Sequence, residues 1–171
     1  SVTFNRNQSP GVEIYTVQSP TAVLDFTPSD QNGSGIINFQ NAGTTAVYQG
    51  TANFTVLNRI VPTDPSRAIQ FNGTVRSLIN SSPGGSVWIY SPGGIIAGAG
   101  SVFDVGSLLL STADPTGGTG TIGSTTSFSL SSANGNAAVA IQPGAQITAS
   151  PEGSYVALVA PVVNQNGAVR V

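Results

Sequence analysis

Short apolar segments, each interrupted by glycine, proline or a polar turn, run along the whole chain. Val and Ile recur in them, and several alternate with polar residues in the way that predicts half-buried β-strands. No segment keeps apolar residues at helical spacing for three turns without a Gly or Pro. The pattern therefore predicts an all-β fold, with strands at 11–15, 22–26, 35–39, 46–48, 53–57, 68–71, 74–79, 87–90, 95–96, 102–103, 108–110, 137–141, 146–149, 155–160, 162–163 and 168–171.

Polar segments rich in Gly, Pro, Asn and Ser separate the predicted strands. We expect a loop at 27–35, a break at 61–66 and a tight turn at 81–85, because these residue types favour turns over strands. The longest polar segment, 111–127, consists mainly of Gly, Thr and Ser. It predicts a loop or a long exposed turn.

A weak internal repeat favours one kind of all-β fold. The segment 87–97 aligns with 138–148 when Pro92-Gly93 is superposed on Pro143-Gly144, and each copy is followed by Gly-Ser and another apolar run. Strands of roughly three to five residues joined by tight corners, in units of about twenty residues, are typical of a parallel β-helix. A β-sandwich also accepts short strands with frequent turns and is the alternative. The many very short apolar runs favour the β-helix.

Length and charge narrow the class of protein. The chain has 171 residues, enough for one sizeable core, so we expect a single domain over 1–171. Charged residues make up 7% of the chain, against about 25% in an ordinary soluble domain. Five scattered arginines give no basic stripe for nucleic acid. No apolar run reaches the 18 or so residues that a transmembrane helix needs.

The residue types that are missing exclude several kinds of chemistry. The chain contains no Lys, His, Cys or Met. Serine-histidine triads, thiol nucleophiles, Schiff bases and the usual zinc ligand sets are therefore excluded. The seven carboxylates do not pair in any compact motif, as a glycosidase would require. We expect no enzymatic activity, no cofactor and no metal.

A series of blocks in the middle of the chain resembles a known family. The blocks are Asn58-Arg59-Ile60-Val61, Asp64-Pro65-Ser66-Arg67, Asn72-Gly73-Thr74-Val75, Val87 to Ile95, Ala97 to Gly100 and Phe103 to Thr112. In its order and spacing this series resembles the filamentous haemagglutinin-type secretion domain of two-partner secretion exoproteins, and the resemblance covers about 35–112.

The resemblance implies a fold, a location and a partner. The fold would be a right-handed parallel β-helix with N-terminal capping strands and a small antiparallel extra-helical sheet. The protein would be the N-terminal module of a large exoprotein on the surface of a Gram-negative bacterium, exported through the periplasm with its signal peptide removed. Its partner would be an Omp85-type outer-membrane transporter with periplasmic POTRA domains. Ser1 to Arg6 contain no signal-peptide pattern, so such a peptide is either absent or already removed.

The matching blocks also imply which residues carry transporter recognition. The family commonly has Asn-Pro-Asn-Gly-Ile where this chain has Ser91 to Ile95, a departure that preserves the turn but loses both Asn side chains. The fold therefore carries over more securely than the recognition. The residues expected to take part are Asn58, Arg59, Asp64, Pro65, Ser66, Arg67, Ser91, Pro92, Gly93, Gly94 and Ile95.

Several of these residues also have a structural interpretation, as do the neighbouring residues of the strand 87–90. Arg59 and Arg67 could hold local carbonyl groups or pair with Asp64. Gly93 and Gly94 suit a corner because glycine tolerates positive φ. Trp88 and Tyr90 share one face of their strand and Val87 and Ile89 the other, so one pair is expected in the core while the other could form an exposed aromatic ledge.

The function predicted from these observations is non-enzymatic. The chain would direct export of an adhesin-type exoprotein and would cap and nucleate its β-helix. We expect the final role, whether adhesion, toxin delivery or biofilm formation, and any contact with host or matrix carbohydrate or protein, to lie downstream of Val171. The alternatives are a β-helix module that itself binds carbohydrate or a host surface, and a structural cap exported by another route.

Overall fold

A computed structural model describes residues 1–28, 33–122 and 134–171, and for residues 5–9 the backbone alone. Every regular element in these residues is a β-strand. The strands are β1 Val2–Ser9, β2 Val12–Val17, β3 Thr21–Phe26, β4 Ile37–Gln40, β5 Thr45–Gly50, β6 Thr55–Ile60, β7 Ile69–Phe71, β8 Thr74–Ile79, β9 Ser82–Pro83, β10 Ser86–Tyr90, β11 Ile95–Ala97, β12 Val102–Val105, β13 Ser107–Ser111, β14 Ala138–Ile141, β15 Gln146–Ala149, β16 Val156–Val159, β17 Val162–Gln165 and β18 Ala168–Arg170.

The strands form three sheets that are parallel almost throughout. Sheet 1 has the order β1-β2-β5-β8-β12-β15-β18, with β9 paired to β8. Sheet 2 has the order β3-β6-β10-β13-β16, and sheet 3 the order β4-β7-β11-β14-β17. The chain visits sheets 2, 3 and 1 in turn and then starts again one position further along each sheet. We call each such circuit a coil; coil 1 is β3-β4-β5 and coil 5 is β16-β17-β18. The fold is therefore all-β and β-helix-like.

The two ends of the molecule differ. At the N-terminal end, β2 extends sheet 1 by one parallel strand beyond coil 1, and β1 then pairs with β2 in the antiparallel direction. Sheets 2 and 3 end at β3 and β4. At the other end β16, β17 and β18 are the last strands of their sheets. The antiparallel pairs among the described residues, β1 with β2 and β8 with β9, belong to sheet 1 rather than to a separate small sheet.

Apolar columns fill the interior between the sheets. Parallel register places equivalent positions of successive coils directly above one another, so one inward column of sheet 3 reads Ile37, Ile69, Ile95, Val139 and Val163. Phenylalanines stack in a second interior series, in which neighbouring ring centroids lie 5.4 to 5.8 Å apart, from Phe26 through Phe39 and Phe71 to Phe103. Apart from the exposed Val163, these side chains belong to one hydrophobic cluster that extends through the coils.

A second apolar cluster lies on the outer face of sheet 2. Leu57, Trp88 and Leu109 form its centre, and Tyr90 and Ile122 pack against them. Trp88 is 7% exposed, and its Nε1 donates to Tyr155 Oη at 2.7 Å. The expectation that one of the two strand faces belongs to the core is confirmed for Val87 and Ile89. The exposed aromatic ledge is wrong, because Trp88 is buried beneath other side chains.

The predicted strands have counterparts in the structure, but three features differ from the predictions: β1, the turn at 81–85 and the internal repeat. β1 was not predicted, because its central residues are polar and it is held by backbone pairing with β2. The turn at 81–85 contains the two-residue strand β9. The internal repeat is out of structural register: Val87 pairs with Leu108 in sheet 2, whereas Ala138, its counterpart in the repeat, lies in sheet 3.

The two predicted loops lie only partly within the described residues. The loop at 27–35 includes residues 29–32, and the polar tract at 111–127 includes residues 123–127, which are outside them. Within the tract, Thr112, Ala113 and Thr116 are buried. This part of it is therefore not an exposed turn. In the described part of the chain there is no helix with the length and apolarity to cross a membrane.

Candidate functional site

Most of the predicted recognition residues lie at the corners between sheet 2 and sheet 3; the exceptions are Asn58 and Arg59, which lie in β6. The corner of coil 2 is a β-turn in which the Arg67 N–H donates to the Asp64 carbonyl at 3.2 Å and Pro65 occupies the second position. Asp64 Oδ1 accepts from the Ser66 N–H at 3.0 Å and from Ser66 Oγ at 2.6 Å. Those hydrogen bonds from Ser66 lower the pKa of the Asp64 carboxyl, and the charge of Arg67 adds to the effect.

Arg67 joins this corner to the preceding coil. Its Nε donates to the carbonyl of Gly35 at 2.8 Å, and one terminal nitrogen donates to the carbonyl of Ser34 at 3.1 Å. The side chain is buried. The interpretation that Arg67 holds carbonyl groups is confirmed.

The corner of coil 3 stacks on the corner of coil 2. A Cβ added to Gly93 would collide with the carbonyl of Arg67 and with the backbone of Ser66. Gly94 has a φ of 128°, as expected for a glycine corner, and its carbonyl accepts from the Ile69 N–H at 3.0 Å. The expectation of positive φ is thus met by Gly94, whereas Gly93 is needed for close approach of two backbones.

Ser91 and Asn58 are buried polar residues with different surroundings. Ser91 is fully buried, and its Oγ has no hydrogen-bond partner among the described residues. Asn58 lies in β6 and faces the interior, where its Oδ1 accepts from Tyr48 Oη at 2.7 Å and its Nδ2 donates to the Trp88 carbonyl at 3.3 Å. Asn58 therefore ties sheet 1 to sheet 2 through the core.

Arg59 does not pair with Asp64. Its two terminal nitrogens donate to Asp25 Oδ1 at 3.1 Å and to Asp114 Oδ2 at 3.0 Å. Asp25 precedes it by one coil, and Asp114 belongs to the segment that leaves β13. Burial and the neighbouring Asp114 carboxylate raise the pKa of the Tyr90 phenol. The Arg59 group thus joins sheet 2 to the segment that covers its outer face.

Exposure separates the predicted residues into two sets. Asp64, Pro65 and Ser66 are exposed, and Arg59 and Gly93 are half-buried. The others lie in the interior or between stacked corners; they are Asn58, Arg67, Ser91, Pro92, Gly94 and Ile95. The fold brings the Asp64 to Arg67 corner against the Gly93 to Gly94 corner. Asn58 and Arg59 lie elsewhere, on the two faces of β6.

The sequence analysis did not predict a polar group in the interior at the N-terminal end of the molecule, which consists of Glu13, Tyr15 and Tyr48. Tyr15 Oη donates to Glu13 Oε2 at 3.0 Å, and the Tyr15 ring stacks on Tyr48 with centroids 4.9 Å apart. Burial raises the pKa of Tyr48 strongly, with further contributions from Tyr15 and from the charge of Glu13. The alternation of Glu13, Tyr15 and Val17 along β2 is a signal that these three residues share one face.

Comparison with known proteins adds no relationship to these observations. No protein-family model matches the chain, and no curated protein matches it significantly. Its function is therefore inferred from its residues and its fold.

Proposed function

We propose that the chain is a non-enzymatic N-terminal module of a large secreted surface exoprotein of the adhesin type. In this proposal it is a right-handed parallel β-helix that directs export through an Omp85-type transporter of the two-partner secretion kind. It passes through the periplasm and folds at the surface of a Gram-negative cell. The block series from Asn58 to Thr112, which spans β6 to β13, is the sequence basis of the proposal.

The difference between the two ends of the molecule supports the proposal most directly. At the N-terminal end, sheet 1 finishes in the antiparallel strand β1. At the other end all three sheets finish in parallel strands, and Val162 and Val163 of β17 are 41% and 44% exposed. Unpaired strand edges beside apolar side chains are a surface on which further strands add. A module in which sheet 1 finishes in an antiparallel strand at one end, while all three sheets finish in parallel strands at the other, suits the role of nucleating a longer β-helix.

Burial of the predicted corner favours recognition before folding. Ser91, Pro92, Gly94 and Ile95 are inaccessible in the folded chain. A POTRA domain would therefore meet them in the unfolded segment, where an extended peptide can add to a sheet edge through its backbone. Such pairing depends on hydrogen bonds to the peptide backbone more than on side-chain charge. It therefore suits a chain in which only 7% of the residues are charged. Folding outside the cell would then bias transport outward.

The alternative of a carbohydrate-binding module has less support. Sugars bind well to exposed aromatic side chains, and the predicted ledge of Trp88 and Tyr90 lies in the second apolar cluster instead. Phe4 and Tyr155 are the aromatic residues among the exposed large hydrophobic side chains of the described residues. They lie apart along the chain, because Phe4 belongs to β1 of sheet 1 whereas Tyr155 directly precedes β16 of sheet 2. The capping role is compatible with export by another route, which the following experiment tests.

A pull-down of the purified chain against the POTRA fragment of an Omp85-type transporter tests recognition. The chain is presented folded and urea-unfolded, and the unfolded form is expected to bind. Replacing Ser91-Pro92-Gly93-Gly94 by four alanines is expected to abolish that binding. Replacing Gln142-Pro143-Gly144, another Pro-Gly corner, by three alanines is the matched control and should leave it intact. Equal loss of POTRA binding in the two variants would contradict the recognition role. So would an absence of binding by both the folded and the unfolded chain.

A single substitution separates recognition from stability. Ser91→Ala removes a buried hydroxyl without a described partner, so the folded state should not be weakened. Weaker binding of the unfolded Ser91→Ala chain would then reflect recognition alone. Unchanged binding would exclude the Ser91 side chain from the recognition site.

A further inference from the structure

Two turns of the chain have the same sequence pattern and the same hydrogen bonds. The first is Asp64-Pro65-Ser66-Arg67 and the second is Asp114-Pro115-Thr116-Gly117. In each turn the N–H of the fourth residue donates to the carbonyl of the Asp, at 3.2 Å in the first and 3.1 Å in the second. In each, Oδ1 of the Asp accepts from both the N–H and the hydroxyl of the residue after the proline. The two Asp-Pro bonds therefore have the same local geometry.

An Asp-Pro bond can be hydrolysed by its own carboxylate. A carboxylate oxygen of the Asp attacks the carbonyl carbon of the same residue, and a cyclic anhydride forms. The C–N bond breaks, and the proline nitrogen, which carries no hydrogen in the peptide, takes a proton and leaves as a secondary amine. Water then opens the anhydride to the two carboxyl groups of a C-terminal Asp, so that one water molecule is consumed. The N–H that donates to the Asp carbonyl in both turns stabilises the charge that develops on this oxygen during the attack.

The second carboxylate oxygen, Oδ2, distinguishes the two turns. Because Oδ1 is held in both, Oδ2 is the oxygen available for attack. Asp114 Oδ2 accepts from a terminal nitrogen of Arg59 at 3.0 Å, and Pro115 is buried. Asp64 and Pro65 are exposed, and within the described part of the chain Asp64 Oδ2 has no hydrogen-bond partner. The first turn thus presents a free nucleophile to water, whereas the second holds its nucleophile in an ion pair.

The surroundings of Asp64 also suit an acid-promoted reaction. Attack requires the ionised carboxylate, while departure of the proline nitrogen requires a proton. The hydrogen bonds from Ser66 and the charge of Arg67 lower the pKa of the Asp64 carboxyl, so its ionised form persists at a more acidic pH than that of an ordinary Asp. Around Asp114 the charged and titratable groups are Arg59, Asp25 and Tyr90.

We propose that the Asp64–Pro65 bond is a self-cleavage site in mild acid, whereas the folded chain protects the Asp114–Pro115 bond. The cut lies between β6 and β7 and leaves a new N-terminus at Pro65. The two fragments stay together, because β4, β5 and β6 of the first pair with β7, β8 and β10 of the second. The reaction is a single event within one chain. It does not depend on export or on the transporter, so it stands or falls separately from the proposed function.

Incubation of the full chain at about pH 4, close to the ordinary pKa of Asp, tests the proposal. Circular dichroism verifies the fold, and mass spectrometry of denatured samples identifies the fragments. We expect 1–64 and 65–171 to form about tenfold faster than 1–114 and 115–171, because attack by Asp114 first requires its bond to Arg59 to break. In urea at the same pH the two bonds should be cut at similar rates. Equal rates in the folded chain, or an intact Asp64–Pro65 bond, would overturn the proposal.

Three variants assign the reaction to the carboxylates. Asp64→Asn removes the nucleophile and should abolish the fragment 1–64. Arg59→Gln releases Asp114 Oδ2 and should raise cleavage after Asp114 about tenfold without changing cleavage after Asp64. Arg76→Gln is the matched control, since Arg76 pairs with Asp104 at 3.2 Å, and it should change neither rate.

Two results would contradict this assignment. Continued cleavage after residue 64 in the Asp64→Asn chain would show that its carboxylate is not the nucleophile. Unchanged protection after Asp114 in a folded Arg59→Gln chain would show that the state of Oδ2 does not distinguish the two turns.

Discussion

The close approach of two backbones determines which side chains fit at the stacked corners between sheets 2 and 3. Gly93 lies against Ser66 and Arg67 so closely that a methyl group has no room, and the obstacle is backbone rather than a flexible side chain. The corner of coil 2, against which Gly93 lies, contains Arg67, which holds carbonyl groups of the previous coil. Stacking of corners is thus a property of individual residues, and the absence of a side chain at Gly93 is as important as the presence of the guanidinium at Arg67.

Gly93→Ala is expected to destabilise the chain by about 3 kcal/mol, because the corners of coils 2 and 3 must separate to admit the methyl group. Gly100→Ala is the matched control: the added Cβ would make only an ordinary contact, 3.8 Å from the Asn72 carbonyl oxygen. It should change stability by less than about 1 kcal/mol. Urea unfolding followed by circular dichroism measures both. Similar stabilities for the two variants would contradict the stacked-corner account.

The buried Tyr48 phenol makes stability depend on pH in the alkaline range. Burial, Tyr15 and Glu13 raise its pKa in the folded chain, whereas an unfolded tyrosine titrates at about 10. A raised pKa means that the folded state keeps the proton longer, so this contribution to stability is fully present below about pH 10 and declines as the pH rises further.

Tyr48→Phe should therefore reduce stability by about 1–2 kcal/mol at neutral pH, because Asn58 Oδ1 loses its donor. The same variant should lose less stability than the unchanged chain between neutral pH and about pH 11, because its interior no longer contains this phenol. Urea unfolding at the two pH values measures the difference. A constant gap between the two proteins would show that Tyr48 does not cause the alkaline decline.

At the scale of elements, the segment after β13 is a structural part of sheet 2. Asp114 binds Arg59 and also accepts from the Thr116 N–H at 2.9 Å and Oγ1 at 2.7 Å. Ile122 packs on the second apolar cluster. This segment therefore covers Leu57 and its neighbours on a face that would otherwise be open to water.

The two carboxylates on Arg59 should contribute unequally. The Asp114 side chain is 18% exposed and that of Asp25 is 70% exposed. Asp114→Asn is expected to cost about 1–2 kcal/mol, and Asp25→Asn less than about 0.5 kcal/mol because solvent screens an exposed pair. Trp88, the single Trp of the chain, lies in the covered cluster, so its fluorescence during urea unfolding reports the loss. An equal loss of stability in Asp114→Asn and Asp25→Asn would mean that the covering segment is held by other contacts.

The same element shows where prediction from sequence succeeds and where it stops. Apolar runs with turn residues predict most strands, because alternation and punctuation are local properties. The covering role of 112–122 could not be predicted, since a polar tract packs on sheet 2 through a few residues such as Ile122. β1 was missed because its pairing is made by backbone. The β-bulge in β4, where Asn38 and Gln40 pair with the adjacent residues Gln70 and Phe71, leaves no mark in the sequence, and Glu13 gives only the weak signal of alternation.

The whole molecule combines a low charge with a last coil at which all three sheets finish in parallel strands. Parallel register places equivalent residues of successive coils above one another, and because few residues are charged, few charges oppose the stacking of coils. At the last coil the inward column of sheet 3 ends in Val163, which is 44% exposed. Coils of separate chains could add to β16, β17 and β18 as a further coil of the same chain would.

The 171-residue chain is therefore expected to associate in a concentration-dependent manner through its last coil. Val163→Lys should suppress this association, because it places a charge in the open apolar end that a stacked coil would have to bury. Gln70→Lys adds the same charge on the outer face of an internal coil and should leave association unchanged. Sedimentation velocity over a series of concentrations measures both variants. Equal suppression would indicate that net charge alone limits association, and a monomer at every concentration would show that the open edges do not template pairing in the way that the nucleating role requires.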